Sequence, residues 1–335
     1  VWYHLYDVAF TPTEHQQELI NRINALKKEK DAIVLCHNYQ RPEVYEVADY
    51  IGDSLALCQE AAGINARLIV FSGVYFMAES AALLNPHSTV LVPDRQAGCA
   101  LSDMITAKAL HEWKKDYPDA AVVCYVNSTA AVKAESDICC TSRNAVDIAR
   151  ALPHKQLLFV PDKNLAAFVA KQLPEKEIIP WQGYCPIHER LSPEYLLKAK
   201  EMHPNAEIIA HPECTPEVQA VADHVVSTSG MMKVARESSA TEFICTTECG
   251  MIQRLKKELP HKSFFTVCSV CFDMKKNTLE KILSSLENEE FVVEVPEEVR
   301  PGAQLAFDRM FDLMAATDDE DRARRARKSF GVSSE

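Results

Sequence analysis

Three stretches decide the reading of this chain: VLCHNYQRPEV at residues 34–44, VVCYVNSTAAV at 122–132 and IIAHPECTPEV at 208–218. Each is a short apolar run, then a polar loop, then a helix start. Aligned, they place His37, Tyr125 and His211 at one position, 88 and 86 residues apart. Tyr39, Asn127 and Glu213 follow two residues later. Asp49, Asp137 and Asp223 lie ten beyond those, and Ser54, Ser142 and Thr228 five further on. Several polar positions share the offset, which makes a chance match implausible. Self-similarity at a fixed period marks a chain built from repeated units.

Outward from these stretches, 31–36, 68–71, 89–92, 120–126, 156–160, 177–180, 206–210, 224–226, 242–245, 263–267 and 291–295 read as strands. Helical patterns fill most gaps, at 13–30, 43–49, 54–62, 75–84, 103–116, 163–172, 193–202, 216–221, 230–238, 249–258, 277–287 and 301–315. Near-continuous apolar strands alternating with helices predict parallel sheets covered on both faces. The expected fold class is α/β, with three pseudo-threefold-related, three-layer αβα domains around a central active site. The repeats divide as 13–98, 99–184 and 185–274. Residues 275–316 are expected to pack back on the first repeat, and 317–335 to form a disordered charged tail. Ligands of open parallel sheets bind beyond the carboxyl ends of the strands. His37, Tyr125 and His211 would then face one cavity, with Ser54, Ser142 and Thr228 nearby.

Bulk properties narrow the classes of function. The net charge is −12 with no basic block, which argues against nucleic acid. No apolar run approaches the roughly 18–20 residues of a membrane span, and no export signal is read at the start. Twelve cysteines without such a signal lead us to expect a reducing, cytoplasmic setting.

The cysteines admit two registers. VCSVC at 267–271, with Cys245 and Cys249 upstream, reads C-x3-C-x18-C-x2-C, close to a zinc ribbon. The repeat register instead groups Cys99, Cys185 and Cys271, each 86 residues from the next. It puts Cys245 level with Phe71 and Phe159, a core position, and gives Cys268 no counterpart. Three thiolates about a threefold axis suit three irons of a [4Fe–4S] cube, leaving the fourth iron open as a Lewis acid. Zinc and a dithiol pair remain the alternatives. Glu213 beside His211 is a candidate general acid–base, and Tyr39 a second. His188, three residues after Cys185, is a candidate support for a metal ligand. Asp49, Asp137 and Asp223 are divided between fixing loop geometry and touching substrate.

With these residues in hand, the chain resembles the quinolinate synthases, the A protein of bacterial-type NAD biosynthesis. The resemblance rests on HNYQ (37–40), GDS (52–54), GVYFMAES (73–80), PDRQAGC (93–99), YVNSTAAVKAESD (125–137), TSRNA (141–145), WQGYCPIHE (181–189), HPEC (211–214), STSG (227–230) and CFDMKKNTL (271–279). It implies a [4Fe–4S] cluster held by Cys99, Cys185 and Cys271. It implies condensation of iminoaspartate with dihydroxyacetone phosphate to give quinolinate, phosphate and water. His37, Ser54, Tyr125, Asn127, Ser142, His211, Glu213 and Thr228 would bind substrate, with Glu213, Tyr39, His37 and His211 in catalytic roles. L-aspartate oxidase enters as a transient partner. A radical aminocarboxypropyl transferase, a cluster-based sensor and a structural zinc protein are the rival readings. HNYQ, YVN and HPEC argue against the first, and a sensor needs no triplets of polar strand-end residues.

Overall fold

A computed structural model describes residues 10–267 and 269–332. Twelve strands are present among them, in three four-stranded sheets. The first holds β1 (Ala32–His37), β2 (Tyr50–Gly52), β3 (Leu68–Ser72) and β4 (Thr89–Leu91). The second holds β5 (Ala121–Tyr125), β6 (Ile138–Cys140), β7 (Gln156–Val160) and β8 (Glu177–Pro180). The third holds β9 (Glu207–Ala210), β10 (His224–Val225), β11 (Glu242–Thr246) and β12 (Ser263–Thr266). Strand order is the same in each: 2-1-3-4, 6-5-7-8 and 10-9-11-12. Every ladder within the sheets is parallel. Helices between the strands cover the faces, so the fold is the expected three-layer α/β type.

The sheets occupy two compact units. One comprises the chain up to Cys99 together with Pro186–Glu294, and so contains the first and third sheets. The other comprises Ala100–Cys185 together with the chain from Val295, and contains the second sheet.

The aspartate triplet explains part of the repeat. The N–H of Val34 donates to Asp49 Oδ2 (2.7 Å), that of Val122 to Asp137 Oδ2 (2.7 Å) and that of Ile208 to Asp223 Oδ2 (2.8 Å). Each aspartate N–H returns a bond to the carbonyl of the same residue, at 2.9, 3.1 and 2.9 Å. This two-point latch locks the first strand of each sheet to the strand that follows the aspartate. The Asp49, Asp137 and Asp223 carboxylates serve the backbone, which resolves their reading toward loop geometry. A charge-assisted bond of this kind contributes about 1.5–3 kcal/mol. The same latch starts β2 and β6, the two strands missing from the sequence reading. Their three-residue runs, YIG and ICC, carry too little pattern alone, but they lie 88 residues apart, and β10 lies 86 beyond β6.

The C-terminal part departs from expectation. Helix Leu279–Asn288 does pack in the first unit, burying Leu279, Ile282 and Leu286 with Ile23, Val34 and Val70. The predicted strand 291–295 is an antiparallel bridge, Leu91 to Val292, along the edge of β4. Helix Arg300–Met314 belongs instead to the second unit. It buries Ala303, Ala306, Phe307, Met310 and Leu313. Gly302 lets it approach helix Ala130–Ala134 closely, since a Cβ there would meet Ala134 O at 2.7 Å. The expected packing of 275–316 as one piece on the first repeat is thereby corrected.

The charged tail is corrected as well. Residues Asp319–Ser329 form a helix, capped by the Asp318 side chain on the Asp321 N–H. Acids fill its first turn and Arg327 and Lys328 its last, as the helix dipole favours. Ala326 is fully buried, and Phe330 meets His154 edge-on at 5.3 Å. Polar composition hid a helix held by caps and ion pairs rather than by an apolar stripe. Among the described residues no helix is long and apolar enough to cross a membrane.

Candidate active site

In the first unit the ends of β1 and β9 carry two loops of matching construction. Each places a histidine at the strand end, His37 and His211. The N–H two residues on, of Tyr39 and of Glu213, donates to the histidine Nδ1 at 3.2 and 3.3 Å. A backbone N–H can only donate, so both Nδ1 atoms accept and the neutral rings carry their proton on Nε2. Burial pushes both imidazoles down to about 3, against the opposing pull of the Glu213 carboxylate. Both are therefore neutral donors at physiological pH.

Glu213, expected to do acid–base work, lies buried beside His188. Its Oε2 is 2.7 Å from His188 Nδ1. His188 Nε2 is 3.0 Å from Thr247 Oγ1, and Thr247 Oγ1 is 2.7 Å from the Tyr39 hydroxyl. His188 and His211 stack at 4.8 Å, and His37 meets Tyr39 edge-on at 4.7 Å. The four residues form one line: Tyr39, Thr247, His188, Glu213. The Thr247 hydroxyl can accept from one neighbour and donate to the other.

The hydroxyl positions sit at helix starts. Ser54 opens helix Ser54–Gly63, whose cap Asp53 accepts from the Ala56 N–H. Thr228 opens helix Thr228–Glu237, whose cap Ser227 accepts from the Gly230 N–H. Asn38 Nδ2 donates to Thr228 Oγ1 at 2.8 Å, and Arg254 donates to Asn38 Oδ1. In the second unit Tyr125 ends β5, Asn127 follows two residues later, and Ser142 follows β6. The structure thus brings His37, Tyr39, His211, Glu213 and Thr228 into the two strand-end loops of the first unit and their contacts. Tyr125, Asn127 and Ser142 belong to the equivalent strand ends of the second.

Thr247 and Asn38 are the polar members that sequence reasoning left off the site, and His188, expected only as a support for a metal ligand, lies against Glu213 and Thr247. Thr247 directly follows the third strand of its sheet, as Gly73 and Pro161 do in theirs. A survey of those strand ends would have singled it out, being the one with a hydroxyl.

The cysteines sort cleanly. Among the described cysteines outside a disulfide only Cys99, Cys185 and Cys271 are partly exposed, while Cys36, Cys58, Cys124, Cys139, Cys140, Cys214 and Cys245 are buried. The loop of each exposed cysteine is pinned by the same backbone bond two residues earlier. Tyr75 N–H reaches Ala97 O at 2.7 Å, Lys163 N–H reaches Gly183 O at 2.8 Å, and Cys249 N–H reaches Ser269 O at 3.2 Å. The acceptors are again 86 residues apart. Three partly exposed thiols in equivalent loops fit a group held by three thiolates. Burial pushes the Cys271 thiol up to about 11. The zinc-ribbon reading fails on its donors. Cys245 is buried within β11, its thiol pushed up to about 12, and Cys249 is disulfide-bonded. Cys268 lies outside the described residues. Cys185, His188 and Glu213 offer donor types that a metal ion takes, with Cys185 three residues before His188 in the chain.

Comparison with known proteins gives one answer. The family model described as quinolinate synthetase A protein matches residues 21–312. "Quinolinate synthase 2" of Methanosarcina acetivorans is 51% identical over 297 residues, covering 88% of this chain and 96% of that one. "Quinolinate synthase" of Thermodesulfovibrio yellowstonii is 50% identical over 298 residues, covering 88% and 98%. A quinolinate synthase of Dehalococcoides mccartyi is 52% identical over 299 residues, covering 88% and 99%.

Proposed function

The chain belongs to the quinolinate synthetase A protein family, and from that premise we propose that it condenses iminoaspartate with dihydroxyacetone phosphate to quinolinate, releasing phosphate and water, in NAD biosynthesis. The observation that carries this reading is the buried line Tyr39–Thr247–His188–Glu213 beside two neutral histidines. Ring-forming condensation followed by dehydration needs groups that take protons from carbon and return them to departing hydroxyls. Glu213 and Tyr39 are the groups for that work, and His188 and Thr247 join them.

Both substrates are anionic, while the chain as a whole is acidic. Recognition therefore falls to local donors. The N-termini of the helices opened by Ser54 and Thr228 present backbone N–H groups and positive dipole ends, suited to carboxylate or phosphate. His37 and His211 add Nε2–H donors that bring no charge. Tyr125, Asn127 and Ser142 complete the proposed set of substrate contacts. Cys99, Cys185 and Cys271 would hold a [4Fe–4S] cluster, which supplies a Lewis-acidic iron when bound. A transient encounter with L-aspartate oxidase, as the source of the imine, is part of the same proposal.

The test is anaerobic purification followed by assay with iminoaspartate and dihydroxyacetone phosphate. A brown protein with about four irons per chain, forming quinolinate, is expected. A colourless, zinc-loaded protein with full activity would overturn the cluster. An iron-loaded protein with no quinolinate formation would overturn the reaction.

A further inference from the structure

One buried ion pair has no part in the acid–base line. Glu248 follows β11 and is fully buried. Its Oε1 accepts the N–H of Cys271 at 3.1 Å, and its Oε2 accepts the N–H of Gly250 at 2.6 Å. Lys275 approaches the same carboxylate at 3.2 Å. The Lys275 ammonium also donates to the carbonyl of Tyr39, and to that of Gln40 at 3.3 Å. Gly250 makes the space: a Cβ there would meet Lys275 Nζ at 2.7 Å, Glu248 Oε2 at 2.8 Å and the Tyr39 carbonyl carbon at 2.9 Å. Burying two opposite charges is costly unless the remaining donors and acceptors are satisfied, and here both ends are.

The pair joins two parts of the proposed site, beside the bond from Arg41 Nε to the Lys275 carbonyl at 2.7 Å. One end holds the amide of a cysteine, and the other holds the peptide of an acid–base tyrosine. We infer that Glu248 and Lys275 form a positioning clamp, setting the Cys271 loop against the β1-end loop that carries Tyr39. Glu248 supplies the acceptor for the Cys271 amide, and Lys275 carries that constraint to the Tyr39 and Gln40 carbonyls. Neither side chain is assigned contact with substrate. The inference rests on Cys271 being a cluster ligand and Tyr39 an acid–base group.

The experiment compares wild type with Glu248→Gln, Lys275→Met, Lys275→Arg and Gly250→Ala, all as full chains purified anaerobically. The first readout needs no cluster. In protein stripped of iron, the alkylation rate of Cys271 is measured by peptide mass spectrometry against Cys99 and Cys185 in the same sample. The clamp predicts that Lys275→Met and Gly250→Ala speed alkylation at Cys271 selectively, while Lys275→Arg remains closer to wild type. The second readout is retention of iron and sulfide against a chelator, with a loss of about tenfold for Lys275→Met. Gly250→Ala keeps both charges, so a shared effect identifies geometry rather than charge. Glu248→Gln keeps an oxygen for the Cys271 amide and should fall between wild type and Lys275→Met. Unchanged Cys271 reactivity and iron retention in Lys275→Met and Gly250→Ala overturn the clamp. Equal acceleration at all three cysteines also overturns it, by showing general loosening. If wild type itself binds no cluster, the cluster reading fails, and the alkylation pattern still decides the clamp.

Discussion

The loops before Cys185 and before Cys271 are equivalent in backbone and different in side-chain support. Asp162 and Glu248 stand 86 residues apart, each beside the N–H that pins its cysteine loop. Asp162 turns its Oδ1 onto the N–H groups of Asn164 and Leu165, capping helix Lys163–Gln172. Glu248 is one methylene longer: its Oε2 keeps the matching bond to the N–H two residues on, of Gly250, while its Oε1 reaches across to the Cys271 amide. The first repeat has Val74 at this position, with no side-chain acceptor at all. The common frame is thus made by backbone bonds, and one repeat has added a side-chain brace to it. The difference teaches that equivalence of position does not imply equivalence of role, and it can be attacked from several sides.

The heaviest blow falls on what the repeats share. If the three cysteine loops are equivalent in function, Cys99→Ala, Cys185→Ala and Cys271→Ala should each lose the iron and essentially all turnover, while Cys268→Ala keeps both. Iron and sulfide analysis of the four variants decides it. Full iron content in any of the first three would break the equivalence.

Next comes the acid at the end of β9, which has Asn127 as its second-repeat counterpart. Glu213→Gln should keep the iron and lower turnover by about 10²- to 10⁴-fold. Near-normal turnover would remove Glu213 from the chemistry and leave it a support for His188. Thr247 is subtler. Thr247→Val keeps the shape and removes the hydroxyl between Tyr39 and His188. Turnover should fall about tenfold to a hundredfold, and Thr247→Ser should restore most of it. If valine and serine behave alike, the line does not carry protons.

These residues also mark what could be read in advance. The repeat, the parallel sheets and the three cysteines were legible because polar residues recur at a fixed offset, which needs no knowledge of packing. His37, His211, Glu213 and Tyr39 were legible because strand ends of such sheets face ligands. Thr247 and Asn38 were not, because their roles come from contacts between the first and third sheets, far apart in sequence. The aspartate latches were visible as a triplet, but only geometry shows their carboxylates turned to backbone N–H groups. The helix at Asp319–Ser329 was missed for the opposite reason: its stabilisation is electrostatic and local, and apolar periodicity says nothing of it.

Acid should distinguish the repeats through their strand-end residues. His37 and His211 are neutral when folded, their pKa pushed down to about 3 from the ordinary 6.5. The unfolded chain binds protons first, so folding stability is fully present above pH 6.5 and is lost as pH falls toward 3. Each ring contributes a slope of about 1.4 kcal/mol per pH unit within that window. The second repeat has Tyr125 there and carries no imidazole at this position. Urea unfolding between pH 7 and pH 4.5 should therefore show a shallower pH dependence in His37→Asn and in His211→Asn than in wild type. An unchanged slope would mean that the rings are protonated in the folded state.

The smallest effect is the one that sharpens the opening contrast most. If Asp162 is only a helix cap, Asp162→Ala should cost about 0.5–2 kcal/mol of stability. Its consequence should stop there, because the Lys163 N–H still reaches the Gly183 carbonyl without it. Iron retention and the alkylation rate of Cys185 should stay at wild-type values even as the unfolding midpoint drops. A brace like that of Glu248 would behave differently, loosening its cysteine in proportion to the damage. Selective exposure of Cys185 in Asp162→Ala would mean that both acids support their cysteine loops. The divergence between the second and third repeats would then be one of reach rather than of role.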